Sequence, residues 1–339
     1  MRVAVVGAGV FGCTAAIDLA RAGAQVDLFE ARGDILTGAT ARCQARLHRG
    51  YHYPRSDATA QAARDGFEEF STRFPTAVRS FTHHYVIAPG SRTTAADYLA
   101  FCDRLGLPYT VLDRHPAVHS ADLIVRVPEA MIAVDALRRL LRRDLAAAGV
   151  TVHLNTPAGE LAGYDRTVWA TYGQPWTHPL RYEVCEVALV EVGRYGRDSF
   201  VVLDGDYVSL DPYGRVFALY DVKHSVHTAS VGDGPDLAPE YADLVRRGRV
   251  GTSLSHAPEM LESAGRFLRG LDPHGRGVSI YHGSLWSVRA VLPDVDATDE
   301  RPTLIETSGG GVRILSGKIC TAPAAARAVT AAALGLVPA

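Results

Sequence analysis

Residues 1–30, MRVAVVGAGVFGCTAAIDLARAGAQVDLFE, decide the fold of this chain. An apolar run over residues 1–6 leads into the motif GAGVFG at 7–12, and a helical pattern continues to Ala22. Residues 25–29 form a second short apolar run, typical of a buried strand. A strand, a glycine-rich turn, a helix and a second strand in this order predict a Rossmann-like unit that binds a dinucleotide.

Each glycine of the motif is needed for a different structural reason. Gly7 permits the tight turn after the strand, Gly9 lets the backbone approach a pyrophosphate, and Gly12 lets helix and strand pack closely. The phosphates are then expected at the start of the helix, at Val10 and Phe11, where free N–H groups favour anions.

Glu30 ends the second strand, 18 residues after Gly12. A carboxylate at this position accepts hydrogen bonds from both ribose hydroxyls and would repel a 2′-phosphate, which argues against NADP. Ala31 and Arg32 follow it and are expected to line the same nucleotide site.

The rest of the chain predicts a mixed architecture. Helical and strand patterns alternate up to residue 170, and short alternating strands with turn residues between them occupy residues 182–231. A strand, a glycine-rich turn and a helix close the chain. We expect an α/β (α+β) fold in which both chain ends build the nucleotide-binding layer and an antiparallel sheet is inserted between them.

Composition argues against several classes of protein. A net charge of −2 offers no basic surface to nucleic acid or anionic membranes. Five scattered cysteines fit neither a disulfide framework nor a metal site. We see no charged leader and no apolar run of the ~18 residues that a membrane span needs. We therefore expect a cytoplasmic protein, and we attribute its many Arg and Ala residues to the base composition of a bacterial genome.

Three further segments favour FAD over NAD. Residues 165–173 (DRTVWATYG) look like the strand-and-turn ATG segment of two-part FAD-binding folds, with Tyr172 inserted. Residues 156–158 follow a strand, as the adenine-contacting segment does in such folds. Residues 308–318 (SGGGVRILSGK) predict a glycine-rich turn that leads into a helix. The start of that helix, with Lys318, would stabilise negative charge on a reduced flavin.

On these motifs the chain resembles the D-amino acid oxidase, glycine oxidase and sarcosine oxidase superfamily of FAD-dependent oxidoreductases. The resemblance runs from end to end, strongest at residues 1–32 and weakest in the middle sheet. It implies FAD as cofactor and a division into two interleaved domains. The FAD-binding domain would comprise residues 1–80, 131–175 and 286–339, and the substrate domain residues 81–130 and 176–285.

The resemblance also implies which further residues contact FAD. They are Thr40, Ala41, Gln44, Arg46, Leu47 and His48 after the ribose carboxylate; Ala158, Ala170, Thr171 and Gly173 in the middle of the chain; and Gly311, Val312, Arg313, Leu315, Ser316, Gly317 and Lys318 near the end.

Arg289 is the first candidate for substrate binding. It lies in residues 284–293 (SLWSVRAVLP), which resemble the W-x-x-x-R-P strand of glycine oxidases, although Ala290 replaces the proline. In those enzymes the arginine binds the substrate carboxylate, for which a guanidinium fork is well suited. The alternative is a structural ion pair with Asp294 or Asp296.

Four other residues are candidates for the catalytic site. Arg313 occupies a position at which sarcosine oxidases have a substrate-binding lysine, and Lys318 would lie near the flavin. His48 and Tyr51 lie in a loop crowded with polar aromatic residues, and covalent attachment of the flavin to His48 is an open alternative. Weaker candidates on the middle strands, which could equally be surface groups, are Tyr207, Ser209, Tyr213, His224 and His227.

The implied reaction is the oxidation of a small amine or amino acid to an imine, by hydride transfer to flavin N5. Reoxidation by O2 would give H2O2. Three alternatives stay open: a flavin dehydrogenase or natural-product tailoring enzyme with a larger substrate, an NAD-linked dehydrogenase, and a protein that holds FAD without catalysis. The sequence does not identify the substrate or the oligomeric state.

Overall fold

The computed structural model of the chain describes residues 1–159, 161–193, 196–203, 205, 208–271, 279–293 and 300–336. The helices are α1 (Val10–Arg21), α2 (Asp57–Arg73), α3 (Ala95–Arg104), α4 (Val134–Ala147), α5 (Pro239–Arg247), α6 (Ala257–Gly265) and α7 (Ala322–Leu334).

The strands are β1 (Arg2–Val6), β2 (Gln25–Phe29), β3 (Arg46–Leu47), β4 (Val78–Ser80), β5 (His83–Ile87), β6 (Thr110–Leu112), β7 (Leu123–Val127), β8 (Ala130–Ile132), β9 (Thr151–His153), β10 (Arg166–Trp169), β11 (Leu180–Val192), β12 (Ser199–Leu203), β13 (Val208–Tyr213), β14 (Val216–Asp221), β15 (Val226–Gly232), β16 (Arg249–Val250), β17 (Ser279–Val291), β18 (Leu304–Ser308) and β19 (Gly311–Leu315). The expected mixed α/β class is confirmed.

The first sheet has the strand order β18-β19-β10-β1-β2-β9. Neighbours from β19 to β9 run parallel, and β18 pairs antiparallel with β19. The central strand β1 is apolar throughout its buried part, as a parallel strand covered on both faces must be. Helices α1 and α7 pack against each other, so the first and last helices lie side by side.

The glycine-rich turn at residues 308–311 differs from its prediction. It closes the β18–β19 hairpin and does not lead into a helix. Gly309 and Gly310 have φ values of 58° and 77°, and a two-residue hairpin turn of type I′ needs positive φ at both positions. The final helix α7 begins later, after Ser316, Gly317 and Lys318.

The second sheet has the order β16-β17-β11-β14-β13-β12-β5-β7-β6, and β15 also pairs with β11. Its strands are mainly antiparallel, as expected, although β5 and β12 pair in parallel. A small third sheet contains β3, β8 and β4. The position of the boundaries between the two proposed domains stays a prediction.

Helix α5 ends at Arg247, and Arg249–Val250 is strand β16. Gly248, with φ of 78°, ends the helix because a glycine adopts this left-handed conformation without a steric penalty. Among the described residues, no helix is both long and apolar enough to cross a membrane.

Candidate active site

A cavity of about 890 Å³ extends from the first sheet to the second. It begins at Val6, Phe29 and Trp169, the last residues of three adjacent parallel strands, β1, β2 and β10. Ligands of open α/β sheets bind at this edge. The predicted residues that line the cavity are Gly7, Gly9, Val10, Phe11, Glu30, Ala31, Arg32, Thr40, Gln44, Arg46, His48, Ala158, Ala170, Thr171, Arg289, Ser316, Gly317 and Lys318.

The three glycines of the GAGVFG motif differ in what surrounds them. A Cβ on Gly7 would lie 2.7 Å from the carbonyl oxygen of Ala170, and one on Gly12 would lie 1.8 Å from that of Gly7. Gly9 has an ordinary φ of −68°, and its nearest neighbour would be Thr40 Oγ1 at 3.7 Å. The protein's own packing therefore requires Gly7 and Gly12, whereas a side chain at Gly9 would fill cavity space.

Glu30 is fixed in place by the backbone. Its carboxylate accepts one hydrogen bond from the N–H of Ala8, at 2.9 Å, and one from the N–H of Arg32, at 3.0 Å. An ionised carboxylate offers about four acceptor sites, so two remain for the hydroxyls of a ribose.

The residues of this end of the cavity fit a dinucleotide. Helix α1 begins at the cavity, and its N-cap residue Gly9 has no side chain, although Thr40 Oγ1 accepts a hydrogen bond from the N–H of Val10 at 3.3 Å. The positive end of the helix dipole therefore faces the cavity, where it favours an anion. The hydroxyl of Thr171 is buried at the cavity without a described hydrogen-bond partner. A bound polar ligand would satisfy that hydroxyl.

The middle of the cavity rests on a buried polar network around Asp211, which is fully buried. Asp211 accepts hydrogen bonds from Arg46 and from Ser199 Oγ, both at 2.5 Å, and from Gln44 Nε2 at 2.6 Å. Gln44 Nε2 also donates to Ser209 Oγ at 2.7 Å. Burial lowers the pKa of Arg46, but Asp211, Tyr85 and Glu129 together raise it above its usual value. Arg46 is therefore a cation, and the Asp211 carboxylate balances its charge.

His48 and Lys318 lie near each other at the cavity wall. Burial and the charge of Lys318 hold the pKa of His48 well below its usual value, so the imidazole is neutral. His48 Nδ1 lies 4.0 Å from the Glu129 carboxylate. Lys318 Nζ lies 4.6 Å from the centre of the Tyr53 ring. This part of the cavity thus combines one ammonium group with a neutral imidazole.

Arg289 lines the cavity and is also ion-paired. Its Nε and Nη2 lie 2.7 and 2.6 Å from Glu183 Oε2, and Nη1 donates to the hydroxyl of Tyr220 at 3.2 Å. Arg181 binds the other carboxylate oxygen of Glu183 at 2.9 Å. The ion-pair partner is therefore Glu183, and the alternatives Asp294 and Asp296 lie outside the described residues. Two guanidinium groups share one carboxylate, which leaves a net positive charge.

Two predicted catalytic residues do not line the cavity. Tyr51 is fully buried, and its hydroxyl donates to the carbonyl oxygen of Pro108 at 2.5 Å. Arg313 donates to the carbonyl of Ser308 at 3.3 Å, within the β18–β19 hairpin. Side chains alternate along a strand, and on β19 it is Ile314, not Arg313, that lines the cavity. The prediction that these two residues face the active site is therefore corrected: Tyr51 packs in the core, and Arg313 contacts its own hairpin.

Other predicted cofactor residues also lie off the cavity surface: Gly12, Ala41, Leu47, Gly173, Gly311, Val312 and Leu315. Leu47, Val312 and Leu315 belong to the apolar core. A Cβ on Gly173 would lie 2.7 Å from Leu180 Cδ1, and Gly311 begins strand β19. These residues support the cavity wall.

Of the four weaker candidates that the structure describes, only Ser209 lines the cavity. Tyr213 packs with Val216 in a satellite cluster, and Tyr207 lies outside the described residues. His227 Nε2 bonds to Glu186 at 2.8 Å, and its ring stacks on His256. His224 contributes its carbonyl oxygen to His256 Nδ1. These histidines belong to a buried polar cluster elsewhere in the second sheet.

A cluster of metal-ligand type lies away from the cavity. One ligand atom each of His84, His115 and Asp198 lies within 4.8 Å of the others. The N–H of Ala117 donates to His115 Nδ1 at 3.1 Å, and His115 Nε2 lies 3.5 Å from Asp198. Both ring nitrogens of His115 thus have a partner within the protein.

Sequence reasoning missed several cavity residues in the segment before β3, in the second sheet and in the turn after β10. They include Arg42, Cys43, Tyr172, Cys185, Val187, Tyr220 and Val288. The strands of the second sheet were expected, but alternation alone does not say which face of a strand meets the cavity. The one available signal was Tyr172, the insertion in the ATG segment.

Comparisons with known proteins identify the family of the chain. The family model described as DAO, FAD dependent oxidoreductase, matches residues 2–185, more than half of the chain. The chain is 32% identical over 188 residues to the FAD-dependent monooxygenase kojA of Aspergillus flavus, covering 49% of this chain and 41% of that protein. It is 29% identical over 237 residues to the FAD-dependent monooxygenase FPY4 of Fusarium mangiferae, covering 65% and 64% respectively.

The matches thus span 41% to 64% of the length of these fungal relatives, less than two thirds of either. Among solved structures, glycine oxidase from Geobacillus kaustophilus superposes with a TM-score of 0.67 at 16% identity, over 100% of this chain and 96% of that one. That likeness shows a shared fold. With the matched family model and a cavity shaped for a dinucleotide, we conclude that the chain belongs to the DAO family of FAD-dependent oxidoreductases.

Proposed function

We propose that this protein is an FAD-dependent oxidase of a small amine or amino acid, and that Arg289 binds the carboxylate of its substrate. The observation that carries the proposal is a cavity that joins the GAGVFG motif, at one end, to an arginine with unused donors. The fold likeness to a glycine oxidase supports the same reading.

Arg289 retains the capacity to bind a carboxylate. A guanidinium has five N–H donors, of which two lie against Glu183 and one against Tyr220. The two that remain are enough for a second carboxylate, and Glu183 holds the guanidinium in a fixed orientation. A preoriented cation binds with less loss of conformational entropy than a mobile one.

When bound, FAD supplies the acceptor for the two electrons and the hydrogen removed from the substrate, and O2 takes them to give H2O2. The protein's residues bind and orient the substrate. Neutral His48 does not repel an amine and can accept a hydrogen bond from it. Lys318 places a positive charge beside the same wall, where it favours negative charge that develops during the reaction.

The test is a screen of amines and of D- and L-amino acids with the FAD-bound enzyme in air. We expect O2 consumption and one H2O2 per imine, or per oxo acid formed by its hydrolysis. O2 uptake with incorporation of an oxygen atom into the product, and no peroxide, would contradict oxidase activity.

A second candidate is a monooxygenase or other tailoring enzyme with a larger substrate. The names of the two fungal relatives favour it. Against it, the sequence carries one GxGxxG motif, at residues 7–12, and shows no evident second site for NADPH. Dependence of turnover on NADPH would decide in favour of this candidate.

Location in the cytoplasm and a bacterial source stay predictions.

A further inference from the structure

Tyr172 has an unusual backbone conformation. Its φ is 59°, in the left-handed region that favours glycine. In a residue with a bulky side chain this is a steric outlier, and such outliers persist where the surrounding structure enforces them. Tyr172 is also the residue by which this chain departs from the ATG segment.

The residue that follows shows how the conformation is enforced. Gly173 is also left-handed, with φ of 91°. A Cβ there would lie 2.7 Å from Leu180 Cδ1 and 3.0 Å from Ala290 Cβ. The hydroxyl of Tyr182 donates to the carbonyl of Gly173 at 2.8 Å. The backbone after Tyr172 is therefore pinned against the residue next to Arg289.

The Tyr172 side chain lines the cavity together with Arg289 and Tyr220. Burial raises the pKa of the Tyr172 phenol, and the charge of Arg289 acts in the opposite direction. Strand β11 adds Cys185 and Val187 to the same cavity wall. Tyr172, Tyr220, Cys185 and Val187 thus present aromatic and apolar surface beside the guanidinium, on a wall that also contains Ser287 and Gln174.

We infer that Tyr172 is a specificity-determining residue, whose ring selects carboxylate substrates that carry an apolar or aromatic group over the smallest amino acid, glycine. The inference rests on the proposed function, since it takes Arg289 as the carboxylate-binding group. It adds the substrate class: amino acids with an apolar side chain or ring. The strained backbone at residue 172 keeps this ring at the cavity wall.

The test uses two simple carboxylates, benzoate and acetate, as probes of the FAD-bound protein. Their dissociation constants are measured by calorimetry or from changes in the visible absorption of FAD. We expect benzoate to bind at least about tenfold more tightly than acetate, because its ring buries apolar surface. In Tyr172→Gly this ratio should fall about tenfold, with little change for acetate. Tyr172→Phe, which keeps the ring, should retain the ratio.

Glycine adopts the left-handed conformation freely, so Tyr172→Gly removes the ring without forcing the backbone to move. An unchanged benzoate-to-acetate ratio in this variant would overturn the inference and leave the role of Arg289 intact. An equal loss of affinity for benzoate and acetate would also overturn the inference, because the ring would then act through the fold or through Arg289. If the wild-type protein binds neither probe, the proposed function itself fails. It also fails if Arg289→Ala leaves the dissociation constants of both probes at their wild-type values.

Discussion

Arg289 on β17 and Glu183 on β11 lie directly opposite each other, and the guanidinium of Arg289 binds the buried Glu183 carboxylate through two nitrogens, at 2.7 and 2.6 Å. Arg289→Ala should raise the KM for a carboxylate substrate about 100-fold or more, since a desolvated charge pair is lost. Bound FAD should be retained. Arg181→Ala is the matched control, because Arg181 also pairs with Glu183 but does not line the cavity. Equal KM values for wild type and Arg289→Ala would exclude Arg289 from the substrate site.

Gly9 and Gly12 should respond differently to alanine. Gly9→Ala meets no close protein atom, so its melting temperature should stay within a few degrees of wild type. Its affinity for FAD should fall about 100-fold, because the methyl group blocks the pyrophosphate. Gly12→Ala clashes with the Gly7 carbonyl and should lose stability. Normal FAD affinity in Gly9→Ala, measured by fluorescence titration of the apoprotein, would count against this placement of the cofactor.

Glu30→Gln should weaken FAD binding by about 10- to 100-fold, because hydrogen bonds to a charged group contribute about 1.5–3 kcal/mol. The amide keeps the shape of the carboxylate but loses acceptor capacity. Asp34→Asn serves as control, since Asp34 pairs with Arg142 at 2.6 Å and does not line the cavity. Matching FAD dissociation constants for the two variants would refute a ribose-binding role for Glu30.

Asp211→Asn should destabilise the fold by about 3–5 kcal/mol, because it leaves the buried guanidinium of Arg46 without its counter-charge. The exposed pair of Arg49 and Glu68 lies 2.7 Å apart, and Glu68→Gln should change stability by about 1 kcal/mol or less. Urea denaturation of both variants makes the comparison. Similar unfolding midpoints for the two variants would show that the Asp211 network does not stabilise the fold.

Acid should destabilise the protein through its buried histidines. Burial, with the charge of Arg46, lowers the pKa of His83 from 6.5 to about 3. Between these values the unfolded chain binds the proton and the folded chain does not. Stability is therefore complete above pH 6.5 and falls below it, by about 1.4 kcal/mol per pH unit for each such residue.

Between pH 7.5 and pH 5, the free energy of unfolding should therefore fall by about 2 kcal/mol less in His83→Leu than in the wild-type protein. Urea denaturation at the two pH values measures this difference. Parallel losses in the two proteins would show that His83 titrates normally in the folded state.

The nucleotide end of the site was predictable because its determinants are local. Gly7, Gly9 and Glu30 lie within one β-α-β unit, where the motif, its spacing and the strand ends specify the geometry. The substrate end was less predictable. Arg289 was identified by resemblance, but its partner Glu183 is 106 residues away, and strand periodicity does not reveal which residues will face each other.

Two errors have a common physical origin. Residues 308–318 were read as a turn before a helix, whereas Gly309 and Gly310 close a hairpin. Because residues 311–315 form a strand, Arg313 lies on a strand face that points away from the cavity. Tyr51 was misread because a polar aromatic residue in a loop has the same pattern whether it faces a ligand or the core. Tertiary packing decided both cases.

Anaerobic mixing of the FAD-bound protein with amino acids is the most direct test of the central claim. We predict that amino acids with an apolar side chain bleach the visible absorption of the oxidised flavin, and that Arg289→Ala requires far higher concentrations for the same bleaching. A flavin that stays oxidised with every amine and amino acid, yet bleaches with NADPH, would contradict the account.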